Sequence, residues 1–187
     1  MQAARGASLT SDAAPHQGRS KAVLVLGIAL VAWLVDTGTK IYAERELAGR
    51  DPVELLGPLL RLNLTRNPGA AFSTGSSVTP LISVFAAVAF VVALWFAFRV
   101  RDRIWAWAFG LLVAGIAGNL TDRLFREPGP LRGHVVDFLE LPHWPVFNIA
   151  DVCINVAAGL IVLQSLRGIG ISGRRHDGAE HAQEPAR

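Results

Sequence analysis

The sequence predicts an α-helical membrane protein, four transmembrane helices with a small extracytoplasmic β-rich platform. Three observations point there. Of 187 residues 51% are hydrophobic and the mean hydropathy is +0.37, too apolar for an ordinary soluble domain. Four apolar runs are long enough to cross a bilayer. Between the first two, a mixed segment holds a stretch that alternates like a strand with one wet face.

Taken in order, residues 1–20 are rich in Ala, Ser, Gly and Gln, lack periodicity, and read as a disordered cytoplasmic tail. The folded unit is expected over 21–167. Its first span, about 22–41, is apolar without a break from Ala22 to Val35. Lys21 and Lys40 bracket eighteen residues, which make roughly 27 Å of helix, close to the hydrocarbon thickness. The lead is long and no A-x-A site follows, so this reads as an uncleaved helix rather than a signal peptide.

Residues 43–77 are broken by Pro52, Gly57 and Pro58. Arg61-Leu62-Asn63-Leu64-Thr65 alternates, then Asn67-Pro68-Gly69 turns the chain. The second span is expected at about 78–99. A short link carries Arg99, Arg101 and Arg103. The third, about 104–121, opens with Trp105 and Trp107, as interfacial aromatics do. Residues 121–147, with Pro128-Gly129-Pro130, read as a polar loop. The fourth span is about 149–167. Residues 168–187, Gly-rich and charged, read as a second disordered cytoplasmic tail. No internal repeat is evident.

Charge sets the expected orientation. Four spans put both termini and the arginine link on one side, with ten of the 18 basic residues and five of the 15 acidic ones. The rule that positive loops stay inside makes that side cytoplasmic. Asp36, Asp122, Asp137 and Asp151 then gather near the outer face. No basic run is interleaved with aromatics, so nucleic acid is not an expected partner. The single cysteine, Cys153, lies in an apolar run and reads as a packed residue. No Cys/His cluster suggests a metal, and no cofactor is implied.

Four polar clusters carry candidate chemistry. Asp36 and Lys40 stand at i, i+4 and read first as a pair anchoring the helix end. Asn67 and Gly69 suit a tight turn, where small residues would also admit a peptide backbone. Gly115 and Gly118 permit close helix packing, and Asn119 and Asp122 share a helix face. Asp122 beside Arg123 reads as a structural ion pair. Asn148 fits an N-cap with Asp151 at N3, a capping explanation strong enough alone to make Asp151 structural. Asp137 weakens it: this carboxylate sits among Val135, Val136, Phe138 and Leu139, where no cap is needed. Two carboxylates in one dry site cannot both ionise easily, so one keeps a proton, the working state of an aspartic-protease pair. His134 reads as a solvated loop side chain.

These pieces resemble the lipoprotein signal peptidase family (signal peptidase II), membrane aspartic peptidases. The matching motifs are Asp36-x-x-Thr39-Lys40, Asn67-x-Gly69-Ala-Ala-Phe, Gly118-Asn119-x-x-Asp122-Arg123, Val135-Val-Asp137-Phe138 and Phe147-Asn148-x-Ala150-Asp151. They run in order over 36–151. Pro68 inside the turn and Val152 after Asp151 depart from the family pattern. The resemblance implies that Asp137 and Asp151 are the catalytic dyad. It implies supporting roles for Asp36, Lys40, Asn67, Gly115, Asn119, Asp122, Arg123, Asn148 and Ala150. It further implies cleavage of diacylglyceryl-modified prolipoproteins just before the lipidated cysteine, by a multi-pass monomer in a bacterial cell membrane, among membrane lipids. Two other classes compete on residues alone. A small proton-coupled transporter would want carboxylates near the midplane and often shows inverted repeats. A non-catalytic assembly factor would need no carboxylate pair.

Overall fold

The computed structural model describes residues 20–69 and 78–175. Residues 1–19 of the expected tail over 1–20, the residues Ala70 to Ser73 of the turn motif, and 176–187 lie outside them. Four long helices form: α1 (Ala22–Leu47), α2 (Thr79–Ala97), α3 (Arg103–Phe125) and α4 (Ile149–Leu166). Each is long and apolar enough to cross a membrane. Three strands accompany them: β1 (Val53–Glu54), β2 (Arg61–Asn67) and β3 (Val135–Glu140), antiparallel in the order β1-β2-β3.

The central helix is α3. In its most apolar window 56% of residues are buried, against 17–22% in the other three, so the others pack on it and face lipid elsewhere. Small residues explain this. Ala106, Ala108, Gly110, Ala114, Gly115 and Gly118 are all buried, and small side chains let helix backbones approach in a bilayer. A Cβ on Gly115 would stand 2.5 Å from the Ala150 carbonyl oxygen of α4, and one on Gly110 2.7 Å from Ile28 of α1.

Three expectations need correction. First, α1 and α3 run past the expected span ends, to Leu47 and Phe125. The extension of α1 is held from outside the span: Ala43 and Leu47 pack with Phe138 of β3. Second, the segment 121–147 is not simply a polar loop. It holds β3, whose first four residues are buried. A strand covered on both faces shows a continuous apolar run rather than alternation. Third, the tail is not featureless from residue 168. Trp105 Nε1 donates to the Ile169 carbonyl at 2.9 Å and the Arg101 amide to the Ile171 carbonyl at 3.0 Å. Residues 168–175 thereby close one end of the bundle, where the Lys21 amide also meets the Val100 carbonyl at 2.8 Å. The sheet closes the other end.

Candidate active site

Strand register makes the first half of the site. On β2 and β3, Asn67 lies opposite Val135 and Thr65 opposite Asp137. This lets Asn67 Nδ2 donate to Asp137 Oδ2 at 3.0 Å, while Asn67 Oδ1 accepts from the Gly69 amide at 2.8 Å. Gly69 turns with φ +103°, a conformation that suits glycine.

The second half comes from a short return of the chain. Phe147 pairs with Leu139, its amide donating to the Leu139 carbonyl at 2.9 Å. That pairing delivers Asn148 beside Asp137 and starts α4 there. Asn148 does cap α4, and Asp151 does complete a capping box. The Asp151 amide donates to Asn148 Oδ1 at 2.9 Å, and the Asn148 amide to Asp151 Oδ2 at 3.2 Å. Capping and pairing are not alternatives here. The Nδ2 of the same asparagine donates to Asp137 Oδ1 at 2.6 Å. The cap is the bridge that brings Asp151 to Asp137.

Behind the two aspartates lies a buried polar network. Asn119 Nδ2 donates to Asp151 Oδ1 at 2.9 Å, and Asn119 Oδ1 accepts from Asn148 Nδ2 and from Lys40 Nζ, both at 3.1 Å. Lys40 is 1% exposed, and its ammonium lies 2.8 Å from both Asp36 Oδ2 and Asp122 Oδ2. The expected Asp36–Lys40 pair therefore forms, as one arm of a three-charge cluster. Asp36 Oδ1 also accepts the Ala150 amide at 2.8 Å, satisfying a second free N–H at the start of α4. Gly118 makes room: a Cβ there would strike the Asp36 carboxylate.

The expected Asp122–Arg123 ion pair is a correction. Asp122 pairs instead with Lys40 and with Arg126, one turn on, and Arg126 reaches Glu44. Asp122 Oδ2 also accepts the Val136 amide at 3.3 Å, fixing β3 next to Asp137. Neighbours in sequence point about 100° apart on a helix, so Arg123 faces another way. Its Nη1 donates to the Asn119 carbonyl at 3.2 Å. Its guanidinium interacts electrostatically with Asp122 first, without a close ion pair, and then with Asp137 and Asp151, and its buried Nε has no partner among the described residues. Glu44 and Arg126 were not among the sequence candidates. The signal was present: each stands four residues after a charged candidate, Lys40 and Asp122.

Asp137 is 3% exposed and Asp151 half-buried. Burial pushes the Asp137 carboxyl up to about 6; the Asn67 and Asn148 amides pull against this, and the Asp151 charge adds to it. Both aspartates line one cavity of about 430 Å³, whose other walls include Trp144, Val146, Val152, Ile154 and Val156. Two carboxylates of unequal burial, open to an apolar cavity, can divide acid and base roles. Among the described residues no group of His, Cys, Asp and Glu is arranged to hold a metal. His134 lines a different cavity, with Glu44, Arg66 and Arg126. Cys153 is buried and free, as expected of a packed residue.

Residues 28–167 match the family of signal peptidase (SPase) II. The chain belongs to that family. The lipoprotein signal peptidase of Leifsonia xyli subsp. xyli is 47% identical over 154 residues, covering 82% of this chain and 71% of that protein. The one from Streptomyces coelicolor is 41% identical over 160 residues, covering 86% and 78%. Two solved structures share the architecture, both described as a bacterial membrane enzyme obtained by the in meso method. That at 1.9 Å resolution has a TM-score of 0.71 and 25% identity over 81% of this chain and 97% of the other. That at 2.3 Å has 0.68 and 24%, over 80% and 92%. As a signal peptidase II, the chain is a multi-pass membrane aspartic peptidase that removes signal peptides from prolipoproteins. Membership sets aside the transporter and the assembly factor weighed on residues alone.

Proposed function

We propose that Asp137 and Asp151 are the catalytic dyad of this signal peptidase II, with Asp137 the proton-bearing acid and Asp151 the ionised base. The observation that carries the assignment is Asn148, one buried side chain hydrogen-bonded to the Asp137 carboxylate and to the Asp151 amide, beside the cavity that both aspartates line. Asp151 takes a proton from a water in the cavity as that water attacks the scissile carbonyl carbon. Asp137 gives its proton to the carbonyl oxygen, forming a neutral tetrahedral diol. On collapse Asp137 recovers a proton from one hydroxyl, the C–N bond breaks, and Asp151 passes its proton to the leaving amine. Atoms and charges balance without a metal or cofactor. Arg123, whose buried guanidinium interacts electrostatically with both carboxylates, stabilises the negative charge of the dyad. Asn67, Asn119 and Asn148 position the dyad. Asp36, Lys40, Asp122 and Ala150 fix the start of α4 and β3, and Gly115 lets α4 lie against α3.

The substrate in this reading is a diacylglyceryl-modified prolipoprotein cut just before the lipidated cysteine. The apolar walls, Val152, Ile154 and Val156 among them, lie on or beside a lipid-facing helix. A lipid-anchored substrate can reach such walls laterally from the bilayer. The arginine link and the cluster Lys21, Arg167, Arg174 and Arg175 support a cytoplasmic position for the opposite end and both termini. The enzyme then works as a monomer with its site near the outer face. The test is to incubate purified protein with a synthetic diacylglyceryl lipobox peptide and locate the cut by mass spectrometry. Cleavage one bond before the modified cysteine, lost in Asp137→Asn and in Asp151→Asn by a factor on the order of 10²–10⁴, is expected. Retained activity in either folded variant removes that residue from the dyad.

A further inference from the structure

The end of the bundle far from the aspartates carries a second concavity. A groove of about 800 Å³ runs between α1 and α3, lined by Leu24, Gly27, Val31, Trp107 and Leu111. Its polar lining is confined to one end, Ser20 and Lys21. Arg103 stands one turn before Trp107 on α3, exposed, three residues after Val100, whose carbonyl accepts from the Lys21 amide. Neither Lys21 nor Arg103 has an acidic partner among the described residues. Gly27 opens the floor: a Cβ there would meet nothing within 4 Å.

Length and charge decide what fits. From Lys21 to Val31 the helix rises about 15 Å, half of a roughly 30 Å hydrocarbon layer. A membrane-spanning helix, from a substrate signal peptide or a second copy, needs the full thickness. A signal peptide also brings a positive n-region, which two unpaired cations repel. The chain's own residues 1–19 contain no run of apolar side chains to fill the groove. One acyl chain of one leaflet has the right length, and a phosphodiester headgroup has the right charge for the Lys21–Arg103 end.

We propose that this groove binds one anionic phospholipid of the leaflet opposite the catalytic face. One acyl chain lies over Gly27 against Trp107 and Leu111, and the phosphate sits between Lys21 and Arg103. The site is separate from the dyad, so its occupancy is read without reference to cleavage.

Native mass spectrometry of the full chain, titrated with phosphatidylglycerol or phosphatidylcholine, tests it. Wild type should retain one phosphatidylglycerol in preference to phosphatidylcholine. Lys21→Gln with Arg103→Gln should erase that preference, by about fivefold for each cation removed. Gly27→Leu puts a side chain on this open floor, where an added Cβ meets nothing within 4 Å, and should abolish retention of both lipids while thermal stability and peptide cleavage stay intact. Equal retention of the two lipids by wild type, or full retention by Gly27→Leu, overturns the proposal. So does a photo-crosslink from position 27 to substrate peptide, to a second copy or to residues 1–19. If Gly27→Leu misfolds, the double charge variant decides alone, since unchanged headgroup preference there refutes the site.

Discussion

Asn148 donates to Asp137 at 2.6 Å while its side-chain oxygen caps the amide of Asp151 at 2.9 Å. One residue thus does structural work on α4 and positions both aspartates, and substitutions can separate the two. Asn148→Ala should lose about 1 kcal/mol from the cap, and more because Asp137 Oδ1 loses a buried donor. Asn148→Ser keeps a capping oxygen but cannot reach Asp137 with an amide. It should recover thermal stability yet stay impaired in kcat by roughly tenfold or more, the equivalent of one lost 1.4 kcal/mol interaction. Full recovery of activity with serine would show that Asn148 is only a cap.

The Lys40 cluster should behave as structure. Among the described residues Lys40 is the sole cation bridging Asp36 and Asp122, and all three are at most 3% exposed. Lys40→Met leaves two buried carboxylates facing each other, a loss of about 3–5 kcal/mol. Asp122→Asn weakens the contacts to Lys40 and Arg126 and should lower expression and melting temperature before it lowers turnover. A stable but inactive Asp122→Asn would move Asp122 from the scaffold into the chemistry.

Much of this was legible in the sequence, for a physical reason. Helix positions obey fixed spacings, so Asp36 with Lys40 and Asn148 with Asp151 could be read as pairs. The assignment of Asp122 to Arg123 failed because adjacency in sequence is not adjacency on a helix; the i+4 partner Arg126 was the better choice. The strand β3 was hidden because burial on both faces removes alternation. The contact of Asn148 with Asp137 depends on Phe147 folding back on Leu139, a long-range pairing that no local pattern encodes. The notion that capping and catalysis compete for Asp151 dissolved for the same reason.

Gly115 offers a packing test. An added Cβ would lie 2.5 Å from the Ala150 carbonyl oxygen and 2.6 Å from Ile154 Cγ1. Gly115→Ala must push α4 away from α3, costing about 1–3 kcal/mol, and should lower kcat by displacing Asp151. Gly159, also in α4, has nothing within 4 Å of a built Cβ. Gly159→Ala should be neutral or slightly stabilising in the same thermal melt. Equal effects at both positions would rule out the close α3–α4 approach.

The ends of the chain should divide at residue 175. Deleting residues 1–18 and 176–187 should leave cleavage of a lipopeptide in detergent near normal. Deleting from residue 168 removes the carbonyl partners of Trp105 Nε1 and the Arg101 amide. Each lost hydrogen bond costs about 0.5–1.5 kcal/mol, so that truncation should melt earlier. Identical melting curves for the two C-terminal truncations would contradict the ordered turn over 168–175.

The pH profile tests which aspartate holds the proton. Asp137 is pushed up to about 6, first by burial. If it must be protonated to donate, kcat/KM should fall as pH rises through about 6 in the free enzyme. A bound lipopeptide excludes water from the cavity, which disfavours the charged carboxylate further, so the alkaline limb of kcat should lie higher than that of kcat/KM. Stability follows the same group with a definite sign. A raised carboxyl contributes fully below its unfolded value near 3.8 and loses that contribution as pH climbs past 6. Wild type should therefore weaken against Asp137→Asn by up to about 3 kcal/mol between pH 4 and neutrality, at 1.36 kcal/mol per unit. Because the Asp151 charge adds to the upward push on Asp137, Asp151→Asn should shift the melting profile of Asp137 downward. Both profiles should be unchanged by EDTA, since water activation is assigned to a carboxylate. A chelator-sensitive rate, or one that rises without a maximum well past neutral, would sink the shared-proton dyad and require another base.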